Sequence, residues 1–298
     1  MLGIMASGIS GHLFTPGDTW TARTISSAAD WLAVAYGNAT FVAIAQNSTS
    51  AATSTDGITW TARTLPASRN WQSIAYGNAT FVAVAYGTTS AATSPDGITW
   101  TARTMPAAYG WYSVTYGGTK FVAVTDGNSA GAYSTDGITW TATTMGGNSW
   151  ISVVYGGGVY VTVDNTASTT AAQSSTDGIT WTNRTLSASA SWISVTYGNG
   201  LFVAVAIVGG GTATTSTDGI TWTSRTMPSV SPWRAVCYAN NTFIAVADGP
   251  STTAATSPDG ITWTARTLPS SSNWRGVVYG GGTVVAVARA TTSAATSP

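Results

Sequence analysis

Among 298 residues there is no Glu, one Lys (Lys120), one His (His12) and one Cys (Cys237), and only 7% of the chain is charged. Each scarcity removes a class of chemistry. One Cys cannot form an intrachain disulfide, and its setting, Val236-Cys237-Tyr238, reads as a buried inert thiol. Lys+Arg and Asp+Glu each number 11, net charge is zero, and no basic run exists to neutralise phosphates, which argues against nucleic acid as a partner. His12 lies near the N-terminus, so a Ser-His-Asp site cannot be built wholly within the repeats that follow. No Cys, His and carboxylate cluster has metal-ligand spacing, so neither a metal nor a cofactor is expected. No apolar run is long enough to span a membrane. Residues 1–13 are apolar and Gly/Ser-containing but lack the basic start of a secretory signal. They read as an N-terminal arm or tail, either docked on a partner or frayed.

What is present is a repeat. Ser54-Thr55-Asp56-Gly57-Ile58-Thr59-Trp60 recurs at Ser94 to Trp100, Ser134 to Trp140, Ser175 to Trp181, Ser216 to Trp222 and Ser257 to Trp263, with a worn copy at Pro16 to Trp20. The spacing is about 40 residues, in the range of solenoids and propellers. A second series, Trp31, Trp71, Trp111, Trp150, Trp192, Trp233 and Trp274, accounts for the rest of the 14 Trp residues, two per unit. Strands are expected at Thr19 to Thr24, Trp31 to Tyr36, Phe41 to Ala45, Ser50 to Ser54 and Thr59 to Thr64, with Ile25 to Asp30 as a loop. Four short strands per unit predict an all-β, seven-bladed β-propeller over residues 14–298, four antiparallel strands per blade. The last segment, Ser293 to Pro298, matches Ser90 to Pro95, so the N-terminal strand is expected to pair with the C-terminal strands and close the ring.

The repeated stretch resembles the Asp-box, or BNR repeat, of sialidases and many secreted or viral propellers, with one residue fewer between Asp and Gly. Its flanks, such as Trp71-Gln72-Ser73-Ile74-Ala75-Tyr76-Gly77-Asn78, also look like repeats of bacteriophage tail, other virion and bacterial surface proteins. The resemblance implies that Asp56, Asp96, Asp136, Asp177, Asp218 and Asp259 are structural, in the turn between third and fourth strands, remote from any active site. It also implies that the Trp31-type strand is innermost and the Trp60-type strand outermost. Sialidase chemistry would need a Glu-activated Tyr and three Arg. There is no Glu, and Arg69, Arg234, Arg275 and Arg289 do not map onto that triad. The carboxylates outside the repeated turn are Asp30, Asp126, Asp164 and Asp248, with nothing to pair them as a glycosidase requires. The chain reads as a non-enzyme. The remaining Arg residues, Arg23, Arg63, Arg103, Arg184, Arg225 and Arg266, follow their Trp by three and read as structural.

Turns of the Tyr36-Gly37-Asn38 type and the Asp-Gly turns barely vary and share one face. The opposite face carries divergent loops, such as Pro66 to Asn70 and Pro106 to Gly110, and divergent second-strand ends. Framework on one face and variation on the other suits a scaffold presenting recognition residues, although drift in unconstrained loops gives the same pattern. The expected ligand residues are Trp31, Trp71, Trp111, Tyr86, Asp126, Asn165, Asp248 and Arg289. The Trp series admits two readings, sugar-stacking at the tunnel mouth or packing between blades. The expected function is receptor or host-surface glycan binding by a virion or extracellular surface protein, most plausibly phage-borne. The alternatives are a structural module (capsid decoration or tail-attached) docked on other virion or surface proteins through residues 1–13, and a glycoside hydrolase.

Overall fold

In the computed structural model, which describes residues 15–166 and 169–298, the period-2 segments form strands, and no described segment forms a helix. The unit is shown by β1 (Thr21–Ala29), β2 (Trp31–Gly37), β3 (Thr40–Ala45), β4 (Ser48–Ser54) and β5 (Thr61–Arg69). β2, β3, β4 and β5 pair antiparallel in that order, and the same succession recurs along the chain. The result is an all-β propeller whose Trp31-type strands line a central channel. Residues 1–13, expected as an arm, lie outside the described residues.

Each β3-type strand is buried on both faces, because a neighbouring unit packs on either side. Val42 and Ile44 join a core with Trp71, Ile74 and Phe81, whereas Phe41, Ala43 and Ala45 join one with Trp31, Val285 and Val287. Alternation therefore sends successive side chains to opposite neighbours, which is why this strand reads as a continuous apolar run. The inner strands are tied sideways too. Val114, Val153, Val195 and Val236 donate their amides to the hydroxyls of Ser73, Ser113, Ser152 and Ser194 on the preceding unit.

The constant face is built from two turns. In the Asp-Gly turn, Ser54 Oγ accepts the Gly57 amide and donates to Asp56, whose Oδ1 accepts the amides of Ile58 and Thr59. Gly57 has φ 74° and lies against Val285, so a Cβ there would be both strained and crowded. In the other turn the residues with positive φ are Asn38 and Ala39, not Gly37. Gly37 serves a different need: a Cβ there would sit 2.0 Å from the Tyr76 ring of the next unit. The same contact joins Gly77 to Tyr116 and, across the ring closure, Gly280 to Tyr36. Asn78 Nδ2 donates to the Thr135 carbonyl and Lys120 Nζ to that of Asp177, so both turn sets share one face.

Closure joins the ends of the chain. β1 pairs antiparallel with Thr291–Ser297, Thr21 opposite Thr296. The Gly17 amide donates to Ser297 Oγ, and Arg23 Nε to Thr296 Oγ1, as Gly57 and Arg63 do to Ser54 and Thr53. The worn turn thus takes its serine from the far end of the chain.

Two expectations about strand limits fail. Thr59 and Trp60 belong to the turn, because the Asp56 carboxylate holds the Thr59 amide. The expected loops Ile25 to Asp30 and Pro66 to Asn70 are largely strand, since β5 resumes pairing after a bulge, with Arg69 opposite Ser48. The equivalent segment Pro228 to Pro232 is irregular, where two prolines remove ladder donors.

Candidate functional site

The site follows from one backbone irregularity repeated around the channel. Trp31 is opposite Ala45, but Ala33 is opposite Ile44, so Leu32 is an extra residue in a β-bulge. The same bulge follows Trp71, Trp111, Trp150, Trp192, Trp233 and Trp274. A bulge re-aims side chains. It sends each Trp into the core between units and the next residue, namely Leu32, Gln72, Tyr112, Ile151, Ile193, Arg234 or Arg275, into the channel. The Trp+2 residues are small, and the Trp+3 residues are Val or Ile, so the inner strands vary chemically at the bulge.

Second-strand ends are fastened to the same rim. The amides of Gln46, Tyr86, Asn165 and Asp248 donate to the carbonyls of Asp30, Asn70, Ser149 and Pro232, each just before an inner Trp. At the mouth on the varied face, Gln46, Asn70, Gln72, Tyr86, Tyr112 and Asp126 form one side of a pocket of about 250 Å³, with Leu32, Arg234, Arg275 and Arg289 completing it. Tyr86 and Tyr112 meet edge to face at 6.4 Å. The channel below holds about 270 Å³.

Of the expected ligand residues, Tyr86, Asp126 and Arg289 converge in this pocket. Arg289 is also 3.5 Å from Asp30. Asp248 stands behind it, 2.8 Å from Arg275 and accepting the Gly249 amide. Asn165 does not line the pocket. Trp31, Trp71 and Trp111 require correction: they are at most 1% exposed, and each indole Nε1 donates to the carbonyl four residues earlier, at Ser27, Ala67 and Ala107. No ring face is open to a sugar. The exposed aromatics at this rim are Tyr86 and Tyr109. Sequence reasoning missed Gln72, Tyr112, Arg234 and Arg275 as neighbours, although their variation between constant positions was visible.

The turn aspartates lie elsewhere and act structurally. The Thr59 and Ile58 amides hold Asp56 below the usual carboxylate range, and Asp218 is held likewise by Thr221 and Ile220. Burial pushes Asp177 up, but the Thr180 and Ile179 amides and the Ser175 hydroxyl together bring it to about 2. The repeated Arg series is structural as well, with Nε of Arg63, Arg103, Arg184, Arg225 and Arg266 donating to Thr or Ser hydroxyls on the adjacent strand. Burial pushes the Cys237 thiol up to about 12, which leaves it inert. Among the described residues no group of three His, Cys, Asp or Glu could hold a metal ion, and no helix could cross a membrane.

Residues 149–274 match the model of the DUF6242 beta propeller domain. No curated protein matches the sequence. The fold is similar to that of a catalytically inactive virginiamycin B lyase from Staphylococcus aureus solved with quinupristin, at TM-score 0.83, 11% identity, 93% of this chain and 98% of that one. It is also similar to YCF48 bound to D1 peptide, at TM-score 0.75 and 15% identity over 97% and 98% of the two chains. YCF48 from Cyanidioschyzon merolae follows at TM-score 0.71, 14% identity, 93% and 98%. At these identities the likeness is one of fold, and it places the chain among β-propellers.

Proposed function

We propose that the chain is a seven-bladed propeller, four strands to a blade, with Asp-box-type turns on its constant face, and that it is a binding protein whose ligand enters the channel mouth on the opposite face. The observation that carries this is the bulge after each inner Trp, which converts a constant scaffold into a ring of chemically unlike side chains at one opening. Amides, a carboxylate, guanidiniums and two tyrosines around one small pocket suit a carbohydrate, whose hydroxyls need donors and acceptors and whose ring faces suit aromatics. A host-surface glycan or glycosylated receptor is the partner this reading names. The uncharged Ser, Thr and Asn surface supports a virion, most plausibly phage-borne, or extracellular setting. A purely structural role through residues 1–13 rests on a segment outside the described residues.

The reading is of binding without catalysis. Asp126 is the one carboxylate that lines the pocket, and neighbouring Asp248 is engaged by Arg275, leaving no acid and base pair for hydrolysis. Virginiamycin B lyase is an enzyme on a similar fold, so the distinction is tested directly. A glycan array should return hits that Tyr86→Ala and Gln72→Ala abolish, with the bound glycan recovered intact. Turnover of the glycan, or hits insensitive to both substitutions, would overturn the reading.

A further inference from the structure

We propose that this pocket recognises an oxyanion carried by the ligand, a carboxylate, sulfate or phosphate, through Arg234 and Arg275. The proposal rests on the channel mouth being the ligand site. Arg234 and Arg275 occupy equivalent bulge positions on adjacent inner strands, after Trp233 and Trp274, and both line the channel and the mouth. Arg234 is 8% exposed and has no hydrogen-bond or ion-pair partner among the described residues; its Nε is buried and unbonded. Arg275 has one carboxylate, Asp248, and its Nε is also buried and unbonded.

The other Arg residues of this chain show how unusual that is. In the outer-strand series each Nε is satisfied by a hydroxyl. A guanidinium taken out of water without a counter-charge is unfavourable, and two side by side repel. Burial, and next the charge of Arg234, hold Arg275 below the ordinary arginine value. The nearby carboxylates do not cancel this arrangement. Asp248 serves Arg275, Asp30 lies beside Arg289, and Asp126 makes no ion pair among the described residues. An oxyanion seated between Arg234 and Arg275 would accept charge-assisted hydrogen bonds that the free protein leaves unmade. Gln72, Tyr112 and Asp126 are then placed for the uncharged part of the same ligand.

The test is calorimetric titration of the full chain with glucuronate, sulfate, phosphate and neutral glucose, at low and high salt. Acid probes are expected to bind at least about tenfold more tightly than glucose, and less well in high salt. Binding of glucuronate alone assigns a carboxylate; binding of sulfate or phosphate assigns a tetrahedral group. Arg234→Gln should weaken acid binding roughly 10- to 100-fold and leave the melting temperature of the free protein unchanged or raised. A structural arginine would instead lower it on removal, and that result overturns the proposal. So does equal affinity for acid and neutral probes, or acid binding indifferent to Arg234→Gln. Neutral glycans bound through Tyr86 and Gln72 with no acid binding would leave the glycan reading standing and remove the oxyanion. Acid binding through Arg234 with no glycan hits would do the reverse.

Discussion

The two faces of the ring are built from the same repeats, yet they treat charged groups in opposite ways. On the constant face each Asp-Gly turn satisfies its carboxylate from within: Asp96 accepts the amides of Ile98 and Thr99 and the Ser94 hydroxyl, and Gly97 packs on Val42 of the neighbour, although the indole nitrogens of Trp20, Trp181 and Trp222 stay buried and unbonded. At the channel mouth, polar groups are left open, and Arg234 and Arg275 keep buried nitrogens unbonded. A turn carboxylate satisfied in every Asp-Gly unit is what a framework needs. Two charged groups with unmet hydrogen-bonding capacity at one opening are what a ligand site needs, and they cost stability there.

The contrast is most sharply broken at the ring closure. Deleting residues 291–297 removes the partner of β1 and the serine that completes the first turn, so the protein should lose cooperative unfolding and aggregate, as read by circular dichroism and light scattering. Next in size is a paired substitution at the varied rim. Trp111→Ala empties a fully buried core site and should cost about 3–5 kcal/mol in chemical denaturation. Tyr86→Ala, on the exposed rim, should stay within about 0.5 kcal/mol. Equal costs would erase the distinction drawn between core tryptophans and rim tyrosines.

On the constant face, Gly77→Ala drives a methyl into the Tyr116 ring and should destabilise by about 1–3 kcal/mol. Ala239 stands at the corresponding place in a cluster with Tyr279, so the methyl is accommodated once, and the cost is expected toward the lower end. Smallest is the turn carboxylate. Asp177→Ala should cost about 1 kcal/mol at neutral pH, the net worth of a few solvent-facing hydrogen bonds. Its lowered value also fixes a pH dependence. A carboxylate whose folded value lies below its unfolded one contributes fully above pH 3.8, and that contribution is lost as pH falls through about 2. The melting temperature of the wild-type chain should therefore fall over that window, and less steeply for the variant.

Much of this architecture was legible in the sequence because each unit states it again. The shared face of the two turn types and the closure of Thr291–Ser297 on β1 followed from period-2 patterns and from the match of the chain ends, while the strand order was implied by the resemblance to Asp-box repeats. The site was less legible. Strict alternation cannot reveal a bulge, so Trp111 was placed at the mouth when its bulge neighbour Tyr112 occupies it. Gly37 looked like a turn glycine, but its need is contact with Tyr76, one whole unit away in sequence. Tyr86, Asp126 and Arg289 were found because second-strand ends differ between units. Gln72, Arg234 and Arg275 differ just as visibly, but only the fold shows that they face the same opening.

The most direct test titrates one glycan, the strongest array hit, into three proteins: the wild type, Tyr86→Ala/Gln72→Ala at the mouth, and Ile58→Ser/Ile98→Ser on exposed positions of the constant face. The account predicts that the mouth variant loses binding at least about tenfold, the worth of one or two hydrogen bonds, while the constant-face variant matches the wild type. Binding lost from the constant-face variant and retained by the mouth variant would contradict it.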